Sequence, residues 1–222
     1  MIPTPVAPAI EPVLAASALA CQRGERLLFK GLSLQLRTGQ IIWVRGNNGR
    51  GKTSLLRLLA GLAEPAAGQI ACNGVPLRQA RAEHGRRLLY LAHSNALKDD
   101  LSVAESLAFL ARLHGQAADP EATTAALHRV GLYSRRGASV RTLSQGQRRR
   151  VALARLVLQP TKPLWILDEP YDALDAEGQV MVDALLVAHT GGGGSVVLTS
   201  HLPLAITQPE PISLALDAYA AT

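Results

Sequence analysis

Apolar positions along the chain fall into short runs and alternations punctuated by glycine and proline. Residues 13–21 are apolar and predict a first strand, Gly24-Glu25 a hairpin turn, and Leu27-Leu28-Phe29 the returning strand. Leu32-Ser33-Leu34-Gln35-Leu36 alternates with period two, the pattern of a strand with one buried face. Thr38-Gly39 turns the chain into Ile41-Ile42-Trp43-Val44, and a leucine-rich helix opens at Ser54-Leu55-Leu56-Arg57-Leu58-Leu59. Leu55, Leu58, Leu59 and Leu62 share one face of that helix, spaced as a core stripe, and Gly61, Pro65 and Gly68 end it. Gln69-Ile70-Ala71-Cys72 with the Asn73-Gly74 turn predicts a further hairpin piece, and residues 88–92 a strand of the main sheet followed directly by His93.

From Ser94 to about Arg141 the texture becomes helical. Ser102 caps a helix running to about Leu113, with Glu105 completing a capping box. Pro120-Glu121 opens another, ended by Gly131. Leu143-Ser144-Gln145-Gly146-Gln147 opens a third, with Val151, Ala154 and Leu158 facing inward and Pro160 as its stop. Leu164-Trp165-Ile166-Leu167 is continuously apolar, as a parallel strand buried on both faces requires, and it ends in Asp168-Glu169-Pro170. A helix follows over about 176–189, then a glycine turn at 191–194, a buried strand over 196–199 ending at Ser200-His201, and an alternating edge strand over 212–216. The sum is an α/β domain with a helical insertion. The division is 1–13 as a flexible leader, 14–93 and 142–222 as a core, and 94–141 as a helical subdomain.

The chemistry concentrates at Gly46-Asn47-Asn48-Gly49-Arg50-Gly51-Lys52-Thr53, set between a strand and a helix. Glycines without Cβ atoms let backbone N–H groups curl around an anion, and the helix start adds unpaired N–H groups. Lys52 reaches terminal phosphates as a point charge, and Thr53 offers a hydroxyl to Mg²⁺. The arrangement implies binding of a nucleoside triphosphate. Asp168 stands at the carboxyl end of a buried strand, where open α/β sheets take ligands, and can hold Mg²⁺ opposite Thr53. Glu169 beside it is placed to polarise an attacking water.

Composition narrows the class. The chain has 222 residues, 48% hydrophobic, and no apolar run reaches the roughly 18 residues of a membrane span, so a soluble or peripheral protein is expected. Net charge is +6, but the basic residues form short clusters such as Arg148-Arg149-Arg150, read as solvated faces. Aromatics are 4%, too few for base-stacking platforms, which argues against nucleic acid. Cys21 and Cys72 make no metal or redox spacing and read as free core thiols. The first dozen residues carry four prolines and no Lys or Arg, unlike a secretory signal.

Taken in order, the phosphate loop, the Leu143–Gln147 signature, Asp168-Glu169, Asp172-Ala173-Leu174-Asp175 and His201 resemble an ABC-type ATPase subunit over residues 14–216. The resemblance implies a P-loop NTPase fold with a parallel core sheet, an antiparallel β subdomain and an inserted helical subdomain. It implies ATP and Mg²⁺ as cofactors and a head-to-tail homodimer, each ATP lying between one subunit's loop (residues 46–53 and Ser54) and the other's Ser144 and Gly146. It further implies Glu169 as general base, His201 on the γ-phosphate, Asp175 acting across the dimer, and Lys52 and Mg²⁺ stabilising charge. Arg23 occupies the place of the family's adenine-stacking aromatic, His93 that of a Gln which senses Mg²⁺ and the transport partner, and Gln145 that of the first signature glycine.

His93 after Leu91-Ala92, the Gly24-Glu25-Arg26 turn, the helix over 148–156 and Pro163-Leu164-Trp165-Ile166-Leu167-Asp168-Glu169-Pro170 resemble the ATP-binding subunits of haem-exporter-type complexes in bacterial cytochrome c maturation. That subfamily implies a peripheral place on the cytoplasmic face of the inner membrane with integral membrane subunits. Its ATP hydrolysis drives haem export or release of a haem-loaded chaperone. Another small-molecule exporter ATPase, or a soluble ABC protein in assembly or nucleic-acid work, are the competing classes. The latter predicts long coiled-coil arms, duplicated ATPase halves or basic–aromatic stripes, and this sequence carries none of them. Leu97, Leu101, Val103, Leu107 and Phe109 are candidate core or partner-contact positions.

Imidazole accepts a hydrogen bond only when neutral. Coupling between hydrolysis and the transport partner is therefore expected to fall at acidic pH in the wild type and to become pH-flat in His93→Gln. Identical pH profiles for the two would refute the role assigned to His93.

Overall fold

Two kinds of strand pattern produce two sheets. The computed structural model describes residues 11–117 and 119–221, so most of the expected 1–13 leader lies outside the described residues. In chain order the elements are β1 (Leu14–Arg23), β2 (Arg26–Leu36), β3 (Ile41–Arg45), α1 (Lys52–Leu59), β4 (Ala67–Cys72), β5 (Val75–Pro76), α2 (Leu77–Arg87), β6 (Leu88–Leu91), α3 (Val103–Leu113), α4 (Pro120–Arg129), α5 (Gln145–Leu158), β7 (Leu164–Leu167), α6 (Ala176–Gly191), β8 (Ser195–Thr199) and β9 (Ile212–Ala215).

The alternating strands pair antiparallel in the order β2-β1-β4-β5. The continuous apolar strands pair parallel in the order β6-β7-β8-β3-β9, with the alternating β9 at the edge. Period two divides each parallel strand between two cores. Ile42, Val44, Ile166 and Val197 face α1 and the antiparallel sheet; Ile41, Trp165, Leu167, Val196 and Leu198 face α5 and α6. A third apolar cluster joins α3 and α4 through Val103, Leu107, Ala126 and Leu127 to Leu143, Val151 and Ala154. Helix α5 thus presents one face to the parallel sheet and another to the helical block.

Most expected elements form. The Ser102–Glu105 capping box is present, and Asp119 caps α4 ahead of Pro120. Val103 and Leu107 are core residues, whereas Leu97, Leu101 and Phe109 are half-buried. Both cysteines are buried and free; the Cys72 thiol lies 3.1 Å from His84 Nδ1, and burial pushes it up to about 11.

Three expectations are corrected. Helix α1 stops at Leu59 because Gly61 adopts φ +72°, so Leu62 lies beyond the stripe and is 55% exposed. The two return strands are one strand, β2, which passes through Gly31 at φ +73°. Helix α2 was not anticipated: its four arginines and glycine hide the stripe, and only Leu77 and His84 are buried.

The His189 ring stacks on Trp165 with centroids 3.7 Å apart and planes at 6°. Burial pushes its pKa down to about 4, against backbone partners at Ser195 and Pro163 that act the other way. The unfolded chain takes up that proton near pH 6.5, so between about 6.5 and 4 it binds more protons than the folded chain and stability falls as pH falls. His189→Phe, which keeps the stack, is expected to remove about 1–2 kcal/mol of the loss between pH 7 and 5. Denaturant unfolding at both pH values checks this; equal losses in the two proteins would contradict it.

Candidate active site

The carboxyl ends of the parallel strands carry the polar residues, because side chains there escape both cores. Between β3 and α1 the loop glycines take left-handed or open conformations, φ +151° at Gly46, +76° at Gly49 and +99° at Gly51. Gly51 is the N-cap of α1 and offers no side chain, so the first N–H groups of the helix point outward unsatisfied. Lys52 is buried and its ammonium donates back to the Gly46 carbonyl at 2.8 Å, arching over the loop.

Asp168, 2% exposed, is the hub beside it. The Thr53 hydroxyl donates to Asp168 Oδ2 at 2.7 Å and the Thr199 hydroxyl to Oδ1 at 2.8 Å. Thr199 Oγ1 also accepts from the Glu169 N–H at 2.8 Å. Glu169 itself sits at φ +48°, a left-handed backbone that costs a non-glycine residue about 1 kcal/mol or more. The turn brings its carboxylate to His201: Oε2 accepts from the His201 N–H at 3.0 Å, and Oε1 lies 3.4 Å from Nε2 of the exposed ring. Asn47, Asn48, Gly49, Gly51, Lys52, Thr53, Ser54, Asp168, Glu169 and His201, with Arg23, Arg26 and His93, surround one cleft of about 440 Å³. The predicted loop, metal and base residues are thus brought together, with no Phe, Tyr or Trp among the described residues that line the cleft. Thr53 Oγ1 and Asp168 Oδ2 are hard oxygen donors, the set that suits Mg²⁺ shared with phosphate and water.

Other predicted residues lie elsewhere. The Arg50 guanidinium turns away from the cleft to Asp217, its Nε 3.3 Å from Oδ1, and the same carboxylate accepts from the Asn47 N–H at 3.1 Å. Ser144, Gly146 and Asp175 line a separate cleft of about 320 Å³. Ser144 Oγ caps α5 by accepting from the Gln147 N–H at 3.2 Å, while Gln147 Oε1 accepts from the Ser144 N–H. A Cβ on Gly146 would come within 2.6 Å of the Ala173 carbonyl, so glycine is required there; Gln145 is exposed. Asp175 caps α6 through the Gly178 N–H at 2.9 Å and pairs with Arg150 at 2.6 Å within its own chain.

The reading of Arg148-Arg149-Arg150 as a solvated face is corrected. Arg148 pairs with Asp99 at 2.9 Å and Arg150 with Asp175. Arg149 is 2% exposed and donates to carbonyls at the ends of both β6 and β7. Its signal was its place on the stripe of Ala152, Leu153 and Leu156, the face of α5 turned to the sheet. Thr199 and Asp217 were also missed; a threonine ending a buried strand is the only local sign of the first.

This fold and site define a P-loop nucleotide-binding subunit. The sequence profile described as ABC transporter matches residues 29–172, and the chain belongs to that family. The cytochrome c biogenesis ATP-binding export protein CcmA of Aromatoleum aromaticum is 47% identical over 210 residues, covering 95% of this chain and 98% of that protein. The protein of the same name from Pseudomonas savastanoi pv. phaseolicola is 47% identical over 201 residues, covering 90% and 91%. Among solved structures, an ABC transporter ATP-binding protein of Pyrococcus furiosus superposes with a TM-score of 0.79 at 23% identity, covering 94% of this chain and 99% of that one, a likeness of fold.

Proposed function

We propose that the chain is the ATP-hydrolysing subunit of an ABC-type export complex that serves cytochrome c maturation. The observation that carries the reading is the near end-to-end match to relatives named for that process, on a chain that retains a complete phosphate loop and a poised Glu169. Residues 14–93 and 142–222 act as the catalytic core, and 94–141 as the helical subdomain that meets integral membrane subunits.

The loop N–H groups and Lys52 hold the β- and γ-phosphates, Ser54 extends the contact at the start of α1, and Arg23 lies flat against the base. Thr53 and Asp168, with His93 at the cleft wall, hold Mg²⁺, which supplies charge neutralisation on the phosphate oxygens. Glu169 accepts a proton from the attacking water, and His201 fixes the γ-phosphate and keeps that water in line. Ser144 and Gly146 lie in a separate cleft of the same chain, which supports the head-to-tail homodimer in which they serve the partner's ATP. Asp175, beside them, contacts the partner from its place on α6. No described helix is long and apolar enough to cross a membrane. In this reading the chain works as a peripheral subunit on the cytoplasmic face of the inner membrane, as the subfamily it resembles implies, and hydrolysis there drives haem export or release of haem-loaded chaperone. No nucleic acid takes part.

Glu169→Gln keeps the shape of the site but removes the base. In cells it is expected to abolish covalent haem staining of c-type cytochromes while leaving b-type cytochromes unchanged. Normal c-type haem with the variant stably present would sink the assignment.

A further inference from the structure

The buried guanidinium of Arg149 is the one charged side chain on α5 that reaches the catalytic strand ends. Nη2 donates to the Asp168 and Glu169 carbonyls, both at 2.7 Å. Nη1 donates to the Ala92 carbonyl at 3.1 Å, to Asn95 Oδ1 at 3.0 Å and, at the limit, to the His93 carbonyl at 3.5 Å. One side chain thereby ties the segment carrying His93 to the segment carrying Glu169.

The tie falls at a strained point of the backbone, one of five described non-glycine residues with positive φ. The left-handed turn at Glu169 has to be held from both sides if its carboxylate is to stay aimed. Its N–H is held by Thr199 and its carbonyl by Arg149. Hydrogen bonds from a charged donor are stronger than neutral ones, and those of Arg149 to this turn oppose its cost. A planar fork spans two strand ends at once; the single tetrahedral ammonium of lysine does not. Arg149 is also five residues after Ser144, roughly 7 Å along a rigid helix whose first residues line the cleft of Gly146 and Asp175.

We infer that Arg149 is a positioning residue through which α5, the helix opened by Ser144 and Gly146, sets the backbone of Glu169 and of the His93 segment. Engagement of the start of α5 is thus felt at the base without any contact between Ser144 and Glu169. The inference rests on the reading of Glu169 as the base proposed above.

The test uses the full chain assembled with its membrane partners, comparing wild type, Arg149→Lys, Asn95→Ala and Glu169→Gln for kcat and KM of Mg-ATP hydrolysis. Arg149→Lys keeps the charge and should lower kcat about 10- to 100-fold with KM within about twofold of wild type. Asn95→Ala removes one prop of the guanidinium and should lower kcat about threefold at unchanged KM. If Glu169→Gln is inactive while Arg149→Lys keeps wild-type kcat, the inference is overturned and the functional reading stands. Loss of kcat together with a matching rise in KM in both variants would mark a merely structural role and also overturn it. If Glu169→Gln itself keeps wild-type turnover, the reading of Glu169 fails and the inference falls with it.

Discussion

A buried carboxylate must have its charge answered on every side, and Asp168 is where this chain meets that demand. Thr53 answers from the phosphate loop, Thr199 from the end of β8, and Arg149 takes the carbonyl from α5. The Asp168 N–H continues the sheet by donating to the Leu91 carbonyl of β6 at 2.8 Å. Four segments far apart in sequence are registered on one residue, and each brings a cleft-lining neighbour with it. Lys52 comes with Thr53, His201 with Thr199, His93 with Leu91, and Ser144 with Arg149.

The three apolar clusters make such convergence possible. The parallel sheet is closed on both faces, so its strand ends are fixed to within a side chain's reach. Helix α5 belongs to two clusters at once, through Ala152, Leu153 and Leu156 on one face and Val151 and Ala154 on the other. A helix held in this way is stiff along its axis and answers to both the sheet and the helical block. The close approach of the Ala173 carbonyl to Gly146 and the Arg150–Asp175 pair fasten its start to the loop after β7. The cleft beside Asp168 and the cleft of Ser144 and Gly146 therefore share one element.

What the sequence revealed follows from locality. The phosphate loop, the apolar run before Asp168 and the Ser102–Glu105 capping box are contiguous patterns whose meaning is set by neighbours in the chain. Arg149, Thr199 and Asp217 act on residues 19 to 170 positions away, and nothing in their local sequence names those partners. A run of three arginines looks solvent-facing until helical phase is considered against the sheet it meets. Helix α2 is another case: it forms by tertiary contact, with His84 Nε2 within 2.9 Å of the Leu59 carbonyl, despite a surface too polar to show a stripe. Leu62 failed in the opposite way, because the periodicity continued past the glycine that ends the helix.

The central claim is that Asp168 and Thr53 jointly hold the metal that accompanies the bound nucleotide. The direct measurement is titration of wild type and Asp168→Asn with a fluorescent ATP analogue, with and without Mg²⁺. The account predicts that Mg²⁺ tightens binding to the wild type but not to Asp168→Asn, while metal-free affinities match. Equal Mg²⁺ dependence in the two proteins would contradict it.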